Sequence, residues 1–218
     1  MSAVRPSYRC FNPDCRDCPR LAAFLHTVRH EHPDYHAAPV APFGDPHARL
    51  LIVGLAPGLH GANRTGRPFT GDYAGVLLYR TLHRFGFASA TCSTARDDGL
   101  ELRGCRITNA VKCLPPQNKP ETSEVRGCNR YLAAELSELA AGSAILALGT
   151  IAHRAILLAF ELRAAEYPFA HGVVHRLPND RLLFDSYHCS RYNTQTNRLS
   201  AAMFEAVFAA IAAHLEAS

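Results

Sequence analysis

Eight cysteines, a glycine-rich loop and one dense polar block hold most of the residues able to do chemistry in this 218-residue chain. Cys15 and Cys18 form a C-x2-C pair. Cys113 and Cys128 bracket a proline-rich turn and the first turns of a helix. Four thiolates gathered from two such pairs suit a tetrahedral zinc or an iron–sulfur cluster. The competing reading makes Cys113 and Cys128 packed small hydrophobes, and Cys10 is a rival ligand. Cys92, Cys105 and Cys189 read as ordinary packed or loop thiols. Residues 54–75 place His60, Asn63, Arg64, Arg67, Phe69 and Asp72 among glycines, which let backbone approach a ligand closely. This loop lacks G-x-x-x-x-G-K-[ST], and no G-x-G-x-x-G follows the preceding strand, which argues against nucleoside triphosphates and dinucleotides. In the block 188–198 (HCSRYNTQTNR), His188 at a strand end suits acid/base or electrophilic work. Arg191 and Arg198 suit phosphates there, with Ser190 and Asn193 as neutral donors.

These groups need a scaffold. Short apolar runs at 50–53 (LLIV) and 144–148 (AILAL) read as buried strands, the first as in a parallel sheet, and 105–111 (CRITNAV) reads as a further strand. Segments 173–177 and 181–184 flank Pro178-Asn179-Asp180 as a hairpin-like pair or crossover. Helices are expected near Ala22–Leu25, over a stripe of Val76, Leu77, Leu82 and Phe85, and over Val125, Cys128, Leu132, Leu136 and Leu139. Two more are expected around Ile151, Ala155, Ile156 and Leu158, and from Ser200 along Phe204, Phe208, Ile211 and Leu215. Residues 30–48 show no period and read as an irregular connection. Strands alternating with helices imply an α/β layered fold, whose ligands bind beyond the carboxyl ends of the strands. The site is therefore expected where loops 55–75 and 185–198 meet.

Composition narrows the classes. Hydrophobic residues make up 48% and charged residues 19%, which excludes wholesale disorder. No apolar run is long enough to cross a bilayer, and residues 1–20 lack the apolar core of a signal peptide. Cysteines in an unexported chain favour metal chemistry over disulfides. The net charge of +4 is compatible with nucleic acid.

Four segments resemble one family. Residues 54–72 (GLAPGLHGANRTGRPFTGD) are similar to the first motif of family 5 uracil-DNA glycosylases, and 188–196 (HCSRYNTQT) to the second. Residues 108–120 (TNAVKCLPPQNKP) resemble a segment shared by families 4 and 5, and Cys15-x2-Cys18-Pro19-Arg20-Leu21 resembles their N-terminal cluster motif. The motifs occur in the family's order from about residue 10 onward, while 28–48 and 86–103 carry little of the likeness. The resemblance implies a single domain with a three-layer α/β/α sandwich around a central, mainly parallel four-stranded sheet. It also implies a [4Fe-4S] cluster on Cys15, Cys18, Cys113 and Cys128, structural in role, that ties the N-terminus to the middle of the chain.

The implied activity is monofunctional removal of uracil and related deaminated or modified bases from DNA, beginning base excision repair. The implied setting is the cytoplasm, on the nucleoid of a prokaryote, with the enzyme acting as a monomer. His188 would donate a hydrogen bond to the departing base, Phe69 would stack on it, and Asn109 would read its edge. Where many relatives outside family 5 carry Asp or Asn, Ala56 stands here, and Asp72 would stabilise the sugar cation or orient water. Gly58 follows Pro57 where strict uracil enzymes place a tyrosine, which opens the pocket beside C5 of a pyrimidine. Ser190, Arg191, Asn193 and Arg198 would hold the DNA. The competing readings are a non-catalytic iron–sulfur nucleic-acid binder and a zinc-dependent nucleotide hydrolase.

Overall fold

The computed structural model describes residues 11–217; Cys10, the rival ligand, lies outside them. The chain runs through α1 (Pro19–Glu31), β1 (Phe43–Gly44), β2 (Leu50–Gly54), α2 (Ala62–Thr65), α3 (Tyr73–Arg84), β3 (Cys105–Asn109) and α4 (Thr122–Ser137). It continues through β4 (Ala144–Leu148), α5 (Thr150–Ala159), β5 (Val174–Arg176), β6 (Leu182–Ser186), α6 (Arg191–Gln195) and α7 (Ala201–Ala217). The sheet order is β1-β3-β2-β4-β6-β5. Its four central strands are mutually parallel, as expected, with Gly54 beside Asn109 and Leu148 beside Ser186 at their ends. The expected four-strand count is too small: β1 and β5 add an antiparallel strand at each edge. β1 has two residues, too short for a period in the sequence, so pairing alone defines it, whereas the antiparallel pair of β5 and β6 is the hairpin-like alternative expected around Pro178-Asn179-Asp180.

Strands β2, β3 and β4 are buried along their whole length, which is why β2 and β4 read as unbroken apolar runs, while β3 buries Arg106, Thr108 and Asn109 among its apolar residues. One face packs on α3 and α7 through Leu78, Leu82, Phe204 and Phe208. The other packs on α4 and α5 through Leu132, Leu136, Ala155 and Ile156. Helices on both faces complete the three layers. Helix α4 opens with a reciprocal capping box between Glu121 and Glu124. Three expected core positions face outward instead: Val76, Ile151 and Leu158 are 59%, 40% and 42% exposed. On α3 the buried face runs through Leu78, Tyr79 and Leu82, opposite Val76. Ile151 sits at the mouth of the cavity described next.

Candidate active site

The carboxyl ends of all four parallel strands open into one cavity of about 430 Å³. Ala56 and Gly58 follow β2, Asn109 ends β3, Gly149 follows β4, and His188 and Ser190 follow β6. Phe69 and Asp72 close it from the loop before α3. The two polar loops therefore meet where expected, and the cavity lies in the size range of small-molecule sites.

Glycines make this approach possible. A Cβ on Gly54 would lie 2.5 Å from Asn109 Oδ1 and 2.7 Å from the Phe69 ring, so only glycine lets both side chains line the floor. A Cβ on Gly61 would lie 2.5 Å from Asp72 Oδ2. Gly58 differs: its Cβ would meet nothing nearer than Asp72 Oδ2 at 3.9 Å, so that wall is open. Phe69 itself has φ of +54°, an uncommon conformation for a side chain of its size. The loop over-determines it: Tyr79 donates to the Pro68 carbonyl at 2.8 Å, Thr70 and Ser93 hydroxyls meet at 2.7 Å, and Arg67 pairs with Asp98 at 2.6 Å.

Asp72 caps α3. Its Oδ1 accepts the Gly75 amide at 2.9 Å, which leaves Oδ2 toward Gly58 and Gly61. Burial raises its pKa, with the Gly75 and Ala74 amides opposing the rise. His188 is enclosed on its protein side, and that desolvation pushes its pKa down to about 4. It is thus a neutral imidazole at pH 7 and can donate one hydrogen bond. Its ring lies 5.8 Å from that of Phe69 and tilted by 26°. Asn193 donates Nδ2 to the His188 carbonyl at 2.8 Å, and Ser190 accepts the Asn193 amide as the cap of α6. Both residues expected at phosphates thus also hold the His188 loop in shape. Asn109 is buried in the floor, and its amide bonds no other described residue.

Sequence reasoning missed part of the wall. Asn118 lines the cavity from a turn in which Gln117 and Asn118 both take positive φ. Gly149, Thr150 and Ile151 bring the start of α5, which no side chain caps, to the cavity edge. The signal was present in Gly149-Thr150 directly after an apolar strand, since uncapped helix amides favour negative charge.

A family model for the uracil DNA glycosylase superfamily matches residues 41–212. The chain belongs to that superfamily. It is a hydrolase of N-glycosyl bonds. Three similar proteins carry the name type-5 uracil-DNA glycosylase. That of Thermus thermophilus is 50% identical over 197 residues, 87% of this chain and 89% of the relative. That of Pyrobaculum aerophilum is 44% identical over 191 residues, 86% and 83%. That of Mycobacterium leprae is 43% identical over 204 residues, 89% and 88%. A solved structure, SMUG2 of Pedobacter heparinus, aligns over 93% of this chain and 86% of its own with a TM-score of 0.50 at 16% identity, a likeness of fold.

Beside the glycosylase pocket, Cys15, Cys18, Cys113 and Cys128 gather in one cluster with Leu21, Val111 and Tyr131. All four are free thiols. Burial and the neighbouring sulfurs push the Cys113 pKa up to about 12. Among the described residues, the only trio of His, Cys, Asp or Glu donor atoms all within 4.8 Å of one another lies elsewhere. No three of these four sulfurs therefore lie all within 4.8 Å of one another, whereas sulfurs on one tetrahedral zinc with Zn–S bonds of about 2.3 Å stand ~3.8 Å apart. The Lys112 amide donates to Cys128 Sγ at 3.3 Å and Arg130 to Cys15 Sγ at 3.7 Å, contacts that favour charged sulfur. Lys112 also ties this cluster to β3 from behind the pocket floor: its buried ammonium bonds Glu135 at 2.6 Å, the Thr108 hydroxyl, and the Asn109 carbonyl at 3.0 Å.

On the outer rim, α6 carries exposed Arg191, Arg198 follows it, and Tyr192 is 70% exposed. Arg198 lies 4.5 Å over the Tyr187 ring and Arg191 5.9 Å from the centre of Tyr73. None of the helices formed by the described residues is long and apolar enough to cross a membrane.

Proposed function

We propose that this glycosylase excises uracil and related altered bases from DNA by hydrolysis and leaves the abasic strand uncut. The observation that carries the reading is the cavity where Asp72, His188, Asn109 and Phe69 converge beyond four strand ends. A base must leave the stack to be reached. In the cavity its ring lies against Phe69, and the unpartnered Asn109 amide offers a donor and an acceptor to its edge. As the N-glycosyl bond breaks, the sugar becomes cationic and the base an anion. Neutral His188 donates to the base oxygen where that charge grows, without protonating it. Asp72 Oδ2, left free by the cap contact of Oδ1, faces the sugar cation or orients the attacking water. Among the described residues no lysine lines the cavity, so none of them offers a lysine amine to form a Schiff base with the sugar and cut the strand.

Cys15, Cys18, Cys113 and Cys128 would hold a [4Fe-4S] cluster. That cluster supplies a covalent tie between the N-terminal segment and the β3–α4 connection. Arg20 reinforces the tie through Glu124 at 2.7 Å. Arg191, Arg198, Ser190 and Asn193 form the DNA-facing rim, and the enzyme acts as a monomer. The open wall at Gly58 admits groups on C5, because an empty pocket rejects an added group by only about 10- to 200-fold.

The test is a panel of duplexes carrying uracil, 5-hydroxymethyluracil or hypoxanthine, read as alkali-labile strand under single-turnover conditions. Uracil and 5-hydroxymethyluracil should be released, hypoxanthine more slowly, with no cleavage before alkali. Gly58→Tyr should lose 5-hydroxymethyluracil selectively. Excision of uracil alone by the parent would refute the open-wall argument, and no excision at all would refute catalysis.

A further inference from the structure

Behind the pocket, on the face of the sheet covered by α5, three donor side chains converge that the glycosylase chemistry does not use. His153, His175 and Asp185 place ligand atoms all within 4.8 Å of one another. Their convergence follows from the strand period. His175 pairs in register with Leu183, and Asp185 lies two residues farther along β6, so both project to the side where Leu183 meets α5. His153 comes from the buried face of α5.

The arrangement has the marks of a metal site. His153 Nε2 lies 2.9 Å from the Tyr167 carbonyl, which can only accept, so that nitrogen carries the proton. Nδ1 then presents its lone pair toward Asp185 Oδ1, 2.8 Å away. Two lone pairs facing each other at that distance repel, unless a cation or an extra proton lies between them. A histidine that donates its far nitrogen to a backbone carbonyl is the usual form of a metal-bound imidazole. The second pair shows the same need. Asp185 Oδ2 and His175 Nε2 stand 3.5 Å apart, both buried and neither in a hydrogen bond. Asp185 is fully buried, and leaving one oxygen of a buried carboxylate without a partner is costly. The rings of Tyr167 and Phe169 pack around the histidines.

We propose that His153, His175 and Asp185 bind a divalent transition metal, with zinc the best fit. Two imidazoles and one carboxylate match zinc's preference for nitrogen and oxygen donors at about 2.0–2.2 Å, with water as a fourth ligand. Closing on the ion needs only a short inward movement of each side chain. The ion would clamp α5 to the β5–β6 hairpin. Those elements carry the pocket's Thr150 edge and the strand that leads to His188.

The experiment uses cluster-loaded protein treated with a chelator and titrated with zinc against a chromophoric competitor. The absorption edge of zinc then reports its ligands. The parent should bind one equivalent per chain with a nitrogen/oxygen shell. His175→Ala, at a side chain 11% exposed, should weaken binding by well over ~10²-fold, beyond the 10- to 100-fold of losing an outer-shell partner. Asp185→Asn should do the same. Zinc should raise the Tm of the parent and not of either variant. A sulfur shell would place the zinc on the cysteines and overturn the proposal. So would equal affinity in the parent and His175→Ala, or no binding by a folded parent, which would leave a protonated His153–Asp185 ion pair in its place.

Discussion

The wall of the pocket that carries Asp72 is braced from several sides, whereas the wall that carries His188 runs out into an exposed helix. In the first, Thr65 and Thr70 hydroxyls, Arg67, Tyr79 and Ser93 tie the loop to itself and to the 91–98 segment, largely out of solvent. In the second, His188 is fixed through Asn193, and beyond it Tyr192, Arg191 and Arg198 stand in water. The difference separates two tasks. A group that meets a developing charge needs a fixed position, because catalysis by preorganised dipoles fails when they must reorganise. A surface that follows a phosphate backbone needs reach and charge more than rigidity. Changes on the braced side should therefore appear in the rate of the chemical step, and changes on the rim in affinity.

The largest effect expected is at the point where the walls meet. His188→Ala should lower single-turnover excision by roughly 10² or more with DNA affinity little changed. A large loss of affinity instead would assign His188 to the rim. Next comes Gly61→Ala, whose added Cβ presses on Asp72. A displacement on the order of 1 Å costs as much as ~10²-fold, so excision should fall while binding persists. A parent-like rate would show that the bracing tolerates movement.

Acidification gives an effect of middle size. With His188 titrating near 4, excision should show no break at ~6.5, where an ordinary histidine changes charge. The fall should come on the acid side, as Asp72 takes up a proton at a pH above its ordinary 3.8. A single-turnover pH profile with its midpoint at 6.5 would contradict the neutral assignment of His188. The smallest effects lie on the rim. Neutralising Arg191 or Arg198 should weaken binding to any sequence and reduce the salt slope by about 1 each, with the excision rate of bound DNA unchanged. An unchanged salt slope in the double variant would remove these arginines from the DNA contact.

The same contrast explains what the sequence revealed. Gly54, Asn109 and His188 sit at or just after strand ends, and Phe69 and Asp72 in the glycine-rich loop that leads into α3, so both the pocket and its parallel core were readable. The cysteine pairs were readable by spacing. Features that depend on pairing in space were not. Edge strand β1 is two residues long, Val76 turns outward because neighbouring leucines fill the core face, and Asn193 reaches back to the His188 carbonyl. Lys112 is the clearest case. Nothing in the spacing of TNAVKC marks its lysine as buried, yet it is 1% exposed and joins the Asn109 carbonyl to the cysteine cluster through Cys128. Removing its ammonium would strand Glu135, a loss of the 3–5 kcal/mol kind for a broken buried pair. Lys112→Met should thus lower stability to urea sharply, and a variant as stable as the parent would show that the pair is dispensable.

The central claim is that Asp72, in place of an acid at position 56, serves the bond-breaking step. Its most direct test is single-turnover excision of uracil by Asp72→Asn, with DNA affinity measured in parallel. The account predicts a rate lower by roughly 10² or more at near-parent affinity, since asparagine keeps the cap contact to Gly75 but not the charge. An Asp72→Asn enzyme that excises uracil at the parent rate would contradict it.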